Sequence, residues 1–141
     1  MRALGIDVGT VRVGLALSDP LGYTAQPLEV IKRTNPARDL EAVRRIVEEK
    51  QVEVLVVGLP LNMNGTAGPA AKAAQKEAAA LATVVPVPVT LFDERRTTVT
   101  ADMAMMEARM NAQARRKVVD KVAAAVLLQQ WLDAGRPGAP R

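Results

Sequence analysis

Two apolar runs near the start of the chain are separated by only a few residues, and this spacing constrains the fold most. The first run ends at Asp7, Gly9 and Thr10 follow, and the second run extends from Val11 to Leu17. Two such runs around a tight turn indicate an antiparallel hairpin. Asp7 then lies where the first strand ends, either as a turn residue or as a ligand of a divalent cation.

The rest of the chain alternates between strand and helix patterns. Strands are predicted over residues 26–31, 52–58 and 86–92, and helices over residues 36 onward, 69–84, 97–108 and 112–134. Asn35 is the predicted N-cap of the first helix, with Pro36 at its first position. Three antiparallel strands followed by βαβ units predict an α/β fold with a mixed five-stranded sheet and helices on both faces.

A chain of 141 residues is long enough for one domain with a buried core. We expect a single domain over residues 1–134 and a flexible tail over 135–141, which is rich in Pro and Gly. No apolar run reaches the ~20 residues of a membrane span. The start of the chain lacks the layout of a signal peptide, so the cytoplasm is the expected location.

Of all features of the composition, the absence of both cysteine and histidine most limits the chemistry that the chain can perform. It excludes disulfides, thiol nucleophiles and imidazole acid–base catalysis. Catalysis would have to use carboxylates, lysine, tyrosine, hydroxyls or a hard metal ion, and Mg²⁺ or Mn²⁺ suit carboxylate oxygens.

The chain carries a net charge of +4 and has a pI of about 9.9, which fits a polyanionic partner. It has only three aromatic residues, so we expect contacts to phosphates, rather than base stacking, to dominate any binding of nucleic acid. Basic residues near the acidic motifs are candidates for a phosphate-binding rim, although most basic side chains are simply solvated. The candidates are Arg12, Arg95, Arg96, Arg115, Arg116 and Lys117.

Carboxylates also occur at the end of the last predicted strand and in the last predicted helix. Asp93 and Glu94 follow the strand, on opposite faces, so that one of them points inward unless both are solvated. Asp120 continues an apolar stripe of the helix, where a buried charge needs a partner. That partner is either a cation shared with Asp7 and Glu94 or a basic neighbour in the same helix. Three carboxylates could hold one or two metal ions for phosphodiester hydrolysis.

The segment 59–69 is a predicted loop, because it combines Pro, Asn and Gly. Its spacing is not that of a Walker A motif. Asn62 is the loop residue that we expect to contact nucleic acid, and the alternative is a plain surface loop.

Four motifs together resemble the YqgF/RuvX family, which has an RNase H-like fold related to Holliday junction resolvases. They are GIDVGTVRVGLALSD at residues 5–19, VGLPLNMNG at 57–65, DERRTT at 93–98 and KVVDKVAA at 117–124. The resemblance covers residues 3–132. Asn64 and Arg96 depart from the residues usual in the family.

The resemblance implies that Asp7, Glu94 and Asp120 are catalytic and bind Mg²⁺ or Mn²⁺. It also implies a nuclease, with 5′-end processing of precursor 16S rRNA as the leading role and resolution of branched DNA junctions as the alternative. Arg12, Asn62, Arg95, Arg116 and Lys117 would contact the nucleic acid. We expect a monomer or weak homodimer.

Two other classes of protein compete with a nuclease. One is a non-catalytic protein that binds nucleic acid. The other is an actin-like ATPase, which shares the Asp-x-Gly-Thr opening but needs a second domain to close over its nucleotide.

Overall fold

The computed structural model describes residues 1–93 and 112–139, and within 112–121 it describes the backbone only. The predicted helix over 97–108, together with Glu94 and Arg95, lies outside the described residues. The elements in chain order are β1 (Ala3–Val8), β2 (Arg12–Ser18), β3 (Ala25–Lys32), α1 (Pro36–Glu49), β4 (Val54–Leu59), α2 (Pro69–Ala82), β5 (Val89–Asp93) and α3 (Ala112–Asp133).

The five strands form one mixed sheet in the order β3-β2-β1-β4-β5. Strands β1, β2 and β3 pair antiparallel, as the short connections between them require. Strands β4 and β5 join parallel to β1 after helical crossovers, so β1, β4 and β5 all end at one edge of the sheet. We call this edge the carboxyl edge. The predicted fold class is confirmed.

The two faces of the sheet carry different helices because side chains alternate along each strand. Leu4 and Ile6 of β1 belong to the cluster that α1 and α2 cover. Ala3, on the opposite face, packs with Trp131 and other residues of α3. Helices on both faces were predicted, and this prediction is confirmed.

The ends of several elements follow from local chemistry. The Asn35 side chain accepts a hydrogen bond from the Arg38 backbone N–H at 2.9 Å, which confirms the predicted cap of α1. Helix α2 ends at Ala82 rather than at the predicted residue 84. Strand β5 begins at Val89 rather than at residue 86, after two prolines at positions 86 and 88, which have no backbone N–H to donate to a neighbouring strand.

Helix α3 packs very closely on the middle of β1. A Cβ atom added to Gly5 would lie 2.9 Å from Leu128 Cβ and 3.1 Å from the Ala124 carbonyl oxygen. Only a glycine at position 5 of β1 leaves room for the helix to pack this closely on the sheet. The apolar stripe predicted for this helix is buried at Ala124, Leu127, Leu128 and Trp131.

The residues after α3 contact the edge of the sheet where β1 begins. Arg136 donates to the carbonyl oxygens of Leu21 and Gly22, and Trp131 Nε1 donates to the Pro137 carbonyl at 2.9 Å. The flexibility of 135–141 stays a prediction. Among the residues described, no helix is long and apolar enough to cross a membrane.

Candidate active site

Asp7 is the penultimate residue of β1 and lies next to the carboxyl edge. Its strand partner is Gly14 of β2, which has no side chain to cover it. Because Ile6 belongs to the cluster under α1 and α2, alternation puts Asp7 on the face that α3 covers. Asp7 is half-buried. A carboxylate with this exposure is accessible to a ligand from solvent.

The end of β5 lies at the same edge as Asp7, two strands away. Ile6 pairs with Val57 and Val57 pairs with Leu91, so Asp7 and Phe92 are each one residue beyond the same row. Asp93 ends the strand and lines a surface cleft with Phe92, Gln130 and Ala134. Glu94, the next residue, lies outside the described residues.

Asp120 belongs to α3, and only its backbone is described. It lies one helical turn before Ala124, whose carbonyl is close to Gly5. Helix α3 ends near the beginning of β1, since a Cβ atom on Gly22 would approach both Arg136 and the Met1 carbonyl at 2.9 Å. Going backwards along α3 from Ala124 therefore leads toward the carboxyl edge. This is the direction in which β1 leads from Gly5 to Asp7.

The turn after Asp7 is held by a residue that the sequence analysis missed. The Gly9 N–H donates to the Arg12 carbonyl at 3.0 Å, and a Cβ atom on Gly9 would lie 2.5 Å from that oxygen. From the other side, Arg33 Nε donates to the Gly9 carbonyl at 2.7 Å. The Arg33 backbone N–H also donates to the Val11 carbonyl at 2.9 Å. Arg33 therefore fixes both ends of the β1–β2 turn.

Arg33 is itself oriented by acidic residues of two helices. Its Nη1 lies 3.9 Å from Asp39 Oδ2 in α1 and 3.6 Å from Glu77 Oε2 in α2. Asp39 is buried and also accepts from the backbone and side chain of Thr34. The sequence feature that could have pointed to this contact is Asp39, an acidic residue in the first turn of a predicted helix. No pattern in the sequence links it to Arg33.

The loop between β4 and α2 is ordered by its own hydrogen bonds. Asn62 Nδ2 donates to Thr66 Oγ1 at 3.0 Å, and the Asn62 N–H donates to the Thr66 carbonyl. Asn64 Oδ1 accepts from both the N–H and the hydroxyl of Thr66. The Asn62 amide is therefore engaged within the loop, and the side-chain oxygen of Asn64 holds Thr66.

The remaining predicted contacts to nucleic acid are only partly described. Arg12 begins β2 and is half-buried at the carboxyl edge. Arg95 lies outside the described residues, and Arg116 and Lys117 belong to the part of α3 described by its backbone. Within 1–93 and 122–139, which leave out Glu94 and the Asp120 side chain, no three acidic residues lie together in a group that could hold a metal.

Relatives with similar sequences cover almost the whole chain. A protein of Moorella thermoacetica with the name "Putative pre-16S rRNA nuclease" is 52% identical over 133 residues, 94% of this chain and 95% of its own length. A protein of Myxococcus xanthus with the same name is 47% identical over 137 residues, 97% of this chain and 91% of its own length.

Solved structures show the same fold at low sequence identity. RuvC of Thermus thermophilus, in complex with a Holliday junction substrate, has a TM-score of 0.64 at 20% identity and covers 99% of this chain and 98% of that one. The fowlpox virus Holliday junction resolvase has a TM-score of 0.53 at 13% identity, with coverage of 95% and 99%. The family model for RuvX, described as Holliday junction resolvase, matches residues 1–134, and the chain belongs to this family.

Proposed function

We propose that this chain is a divalent-metal-dependent nuclease that hydrolyses phosphodiester bonds of structured nucleic acid. Its leading substrate in this proposal is the 5′ end of precursor 16S rRNA, in the cytoplasm. The observation that carries the proposal is the half-buried Asp7 at the carboxyl edge, on the α3 face and in a chain whose family and relatives have nuclease names.

The donor set fits a hard cation. The chain has no cysteine or histidine, and the carboxylates proposed as ligands are those of Asp7, Glu94 and Asp120. Oxygen ligands of this kind suit Mg²⁺ or Mn²⁺. When bound, such an ion stabilises the charge that develops on phosphate and lowers the pKa of a water molecule.

The chain's own residues then bind and orient the substrate. Asp7 extends from a buried strand, and the Arg33 contact holds the turn that follows it, so the backbone that carries its carboxylate is in place before the substrate binds. Arg12, Asn62, Arg95, Arg116 and Lys117 are the proposed contacts to nucleic acid. In this role Asn62 would exchange its bond to Thr66 for one to the substrate.

The test is cleavage of a precursor rRNA fragment and of a four-way DNA junction by the full chain, in Mg²⁺, in Mn²⁺ and in EDTA. Asp7→Asn, Glu94→Gln and Asp120→Asn should each reduce the rate at least ~100-fold, more than the loss of an outer-sphere partner. Asp133→Asn is the matched control in the same helix as Asp120, and it should retain the rate. Asp93→Asn tests whether Asp93 shares the role of metal ligand that is proposed for Glu94.

Full activity in EDTA would contradict the metal dependence, and wild-type rates in all three variants would contradict the site.

The family description favours a second candidate, a junction resolvase. Resolution needs two symmetric cuts, and therefore a two-fold dimer with two sites. We propose a monomer or weak dimer. A tight dimer that cuts junctions symmetrically and leaves the RNA intact would make resolution the function.

A further inference from the structure

Two cations lie directly opposite each other at the carboxyl edge. Arg12, the first residue of β2, pairs in register with Lys32, the last residue of β3. Like charges in directly opposed positions of an antiparallel pair destabilise the sheet. Neither side chain takes part in an ion pair with any residue of 1–93 or 122–139, the residues whose side chains are described. The repulsion is therefore uncompensated within that part of the chain.

Both cations lie on the face of the sheet that carries Asp7. Val13 and Ile31, the next residues inward, pack in the cluster under α1 and α2. Alternation therefore puts Arg12 and Lys32 on the α3 face. Asp7, Gly14 and Val30 form one row across the three strands. The two cations lie two residues farther toward the edge, about 6.6 Å along the strand direction.

We propose that Arg12 and Lys32 form one binding site for a backbone phosphate of the nucleic acid, next to the phosphate that would be cleaved at the proposed metal site of Asp7. Directly opposed side chains have Cβ atoms about 5 Å apart, so both can reach the same anion. Guanidinium and ammonium groups are the usual donors to phosphate, and the anion removes the repulsion between them. Arg12 is half-buried and Lys32 is exposed, so the site opens to solvent.

The neighbouring residue Arg33 shows why this assignment is specific. Arg33 lies on the opposite face and is bonded to the Gly9 carbonyl, Asp39 and Glu77. Of two consecutive basic residues, Arg33 is therefore bound by the protein itself, whereas Lys32 has no ion-pair partner among the residues whose side chains are described. The inference rests on the proposed function only for the position of the phosphate relative to the cleaved bond.

The test measures binding of a labelled RNA stem with a single-stranded 5′ extension, in EDTA so that no cleavage occurs. Lys32→Gln should weaken binding about tenfold at low salt. It should also lower the slope of log K against log salt by about 0.7–0.9, the value for one lost phosphate contact. Arg12→Gln should do the same. Arg45→Gln, on α1 beneath the other face, is the control and should change binding less than about twofold.

A second variant separates binding from folding. Lys32→Glu puts opposite charges across from each other, so the melting temperature should rise by roughly 1–3 °C while binding weakens. A melting temperature that falls together with binding would overturn the proposal. Binding of Lys32→Gln equal to that of the wild type, or equal losses in Arg45→Gln, would also overturn it.

Cleavage by the wild type in Mg²⁺ is measured separately. If the wild type cleaves and Lys32→Gln binds normally, the phosphate site is wrong and the nuclease stands. If the wild type cleaves nothing but the salt slope still falls in Lys32→Gln, the phosphate site stands and the nuclease is wrong.

Discussion

Arg33 Nε donates to the Gly9 carbonyl at 2.7 Å, which joins the turn beyond Asp7 to the two helices on the far face of the sheet. Through Asp39 and Glu77 the same guanidinium contacts α1 and α2. The turn next to the proposed catalytic carboxylate is thus held by contacts on the opposite side of the sheet from α3.

Arg33→Ala should raise the Mg²⁺ concentration needed for half-maximal cleavage roughly tenfold, because the turn next to Asp7 loses its support. It should also lower the free energy of unfolding by about 1–2 kcal/mol. Metal titrations and urea unfolding measure the two effects. Arg33→Lys should recover part of the metal affinity, and Arg38→Ala is the surface control. An unchanged metal midpoint in Arg33→Ala would show that Arg33 does not position the site.

Gly5→Ala should reduce both stability and cleavage, because the new methyl group would overlap Leu128 and the Ala124 carbonyl. Overpacking of this kind costs about 1–3 kcal/mol. Since Asp120 is one turn from Ala124, displacement of α3 should lower kcat more than it changes KM. Normal kcat in a folded Gly5→Ala protein would contradict the predicted coupling.

Asp19, in the turn between β2 and β3, should make the stability of the folded protein depend on pH. Asp19 Oδ1 accepts from the backbone N–H groups of Thr24 and Tyr23 at 2.8 and 2.6 Å. The Thr24 bond is the main reason that the pKa of Asp19 lies below its ordinary value of 3.8. The ionised carboxylate therefore stabilises the folded state above that ordinary value, and this contribution is lost as the pH falls through the lowered pKa.

Unfolding midpoints of the wild type and Asp19→Asn, measured from about pH 6 down to about pH 2, should converge as the pH falls. The wild type should be the more stable protein at the upper end. Curves that stay parallel over the whole range would show that Asp19 does not contribute in this way.

Trp131→Phe should release the residues that follow α3. It removes the Nε1 donor to the Pro137 carbonyl and leaves a gap in a fully buried position. We expect a loss of about 1–3 kcal/mol and faster amide hydrogen exchange at Arg136 and Ala139. Arg136→Gln, which removes only the bonds to Leu21 and Gly22, should speed exchange with a smaller loss of stability. Unchanged exchange in both variants would show that these contacts do not hold the segment.

The strands, the mixed sheet and the burial of α3 could be predicted because each depends on local periodicity. The run over 52–58 is apolar apart from Glu53 and became strand β4, which lies between β1 and β5. The stripe through Ala124 and Leu128 became the buried side of α3. The predicted ends of elements were less accurate. Tertiary packing decides that α2 ends at Ala82, and the two prolines before Val89 decide where the pairing of β5 begins.

By itself the sequence determined the order of the elements, the exclusion of histidine and cysteine chemistry and the position of Asp7 at a strand end. Tertiary structure decided which distant residues meet. The pairing of Arg12 with Lys32 depends on strand register, and the bond from Arg33 to Gly9 depends on how the third strand passes the first turn. Residues far apart in the chain become neighbours through the path of the backbone, and no local pattern of residues encodes that path.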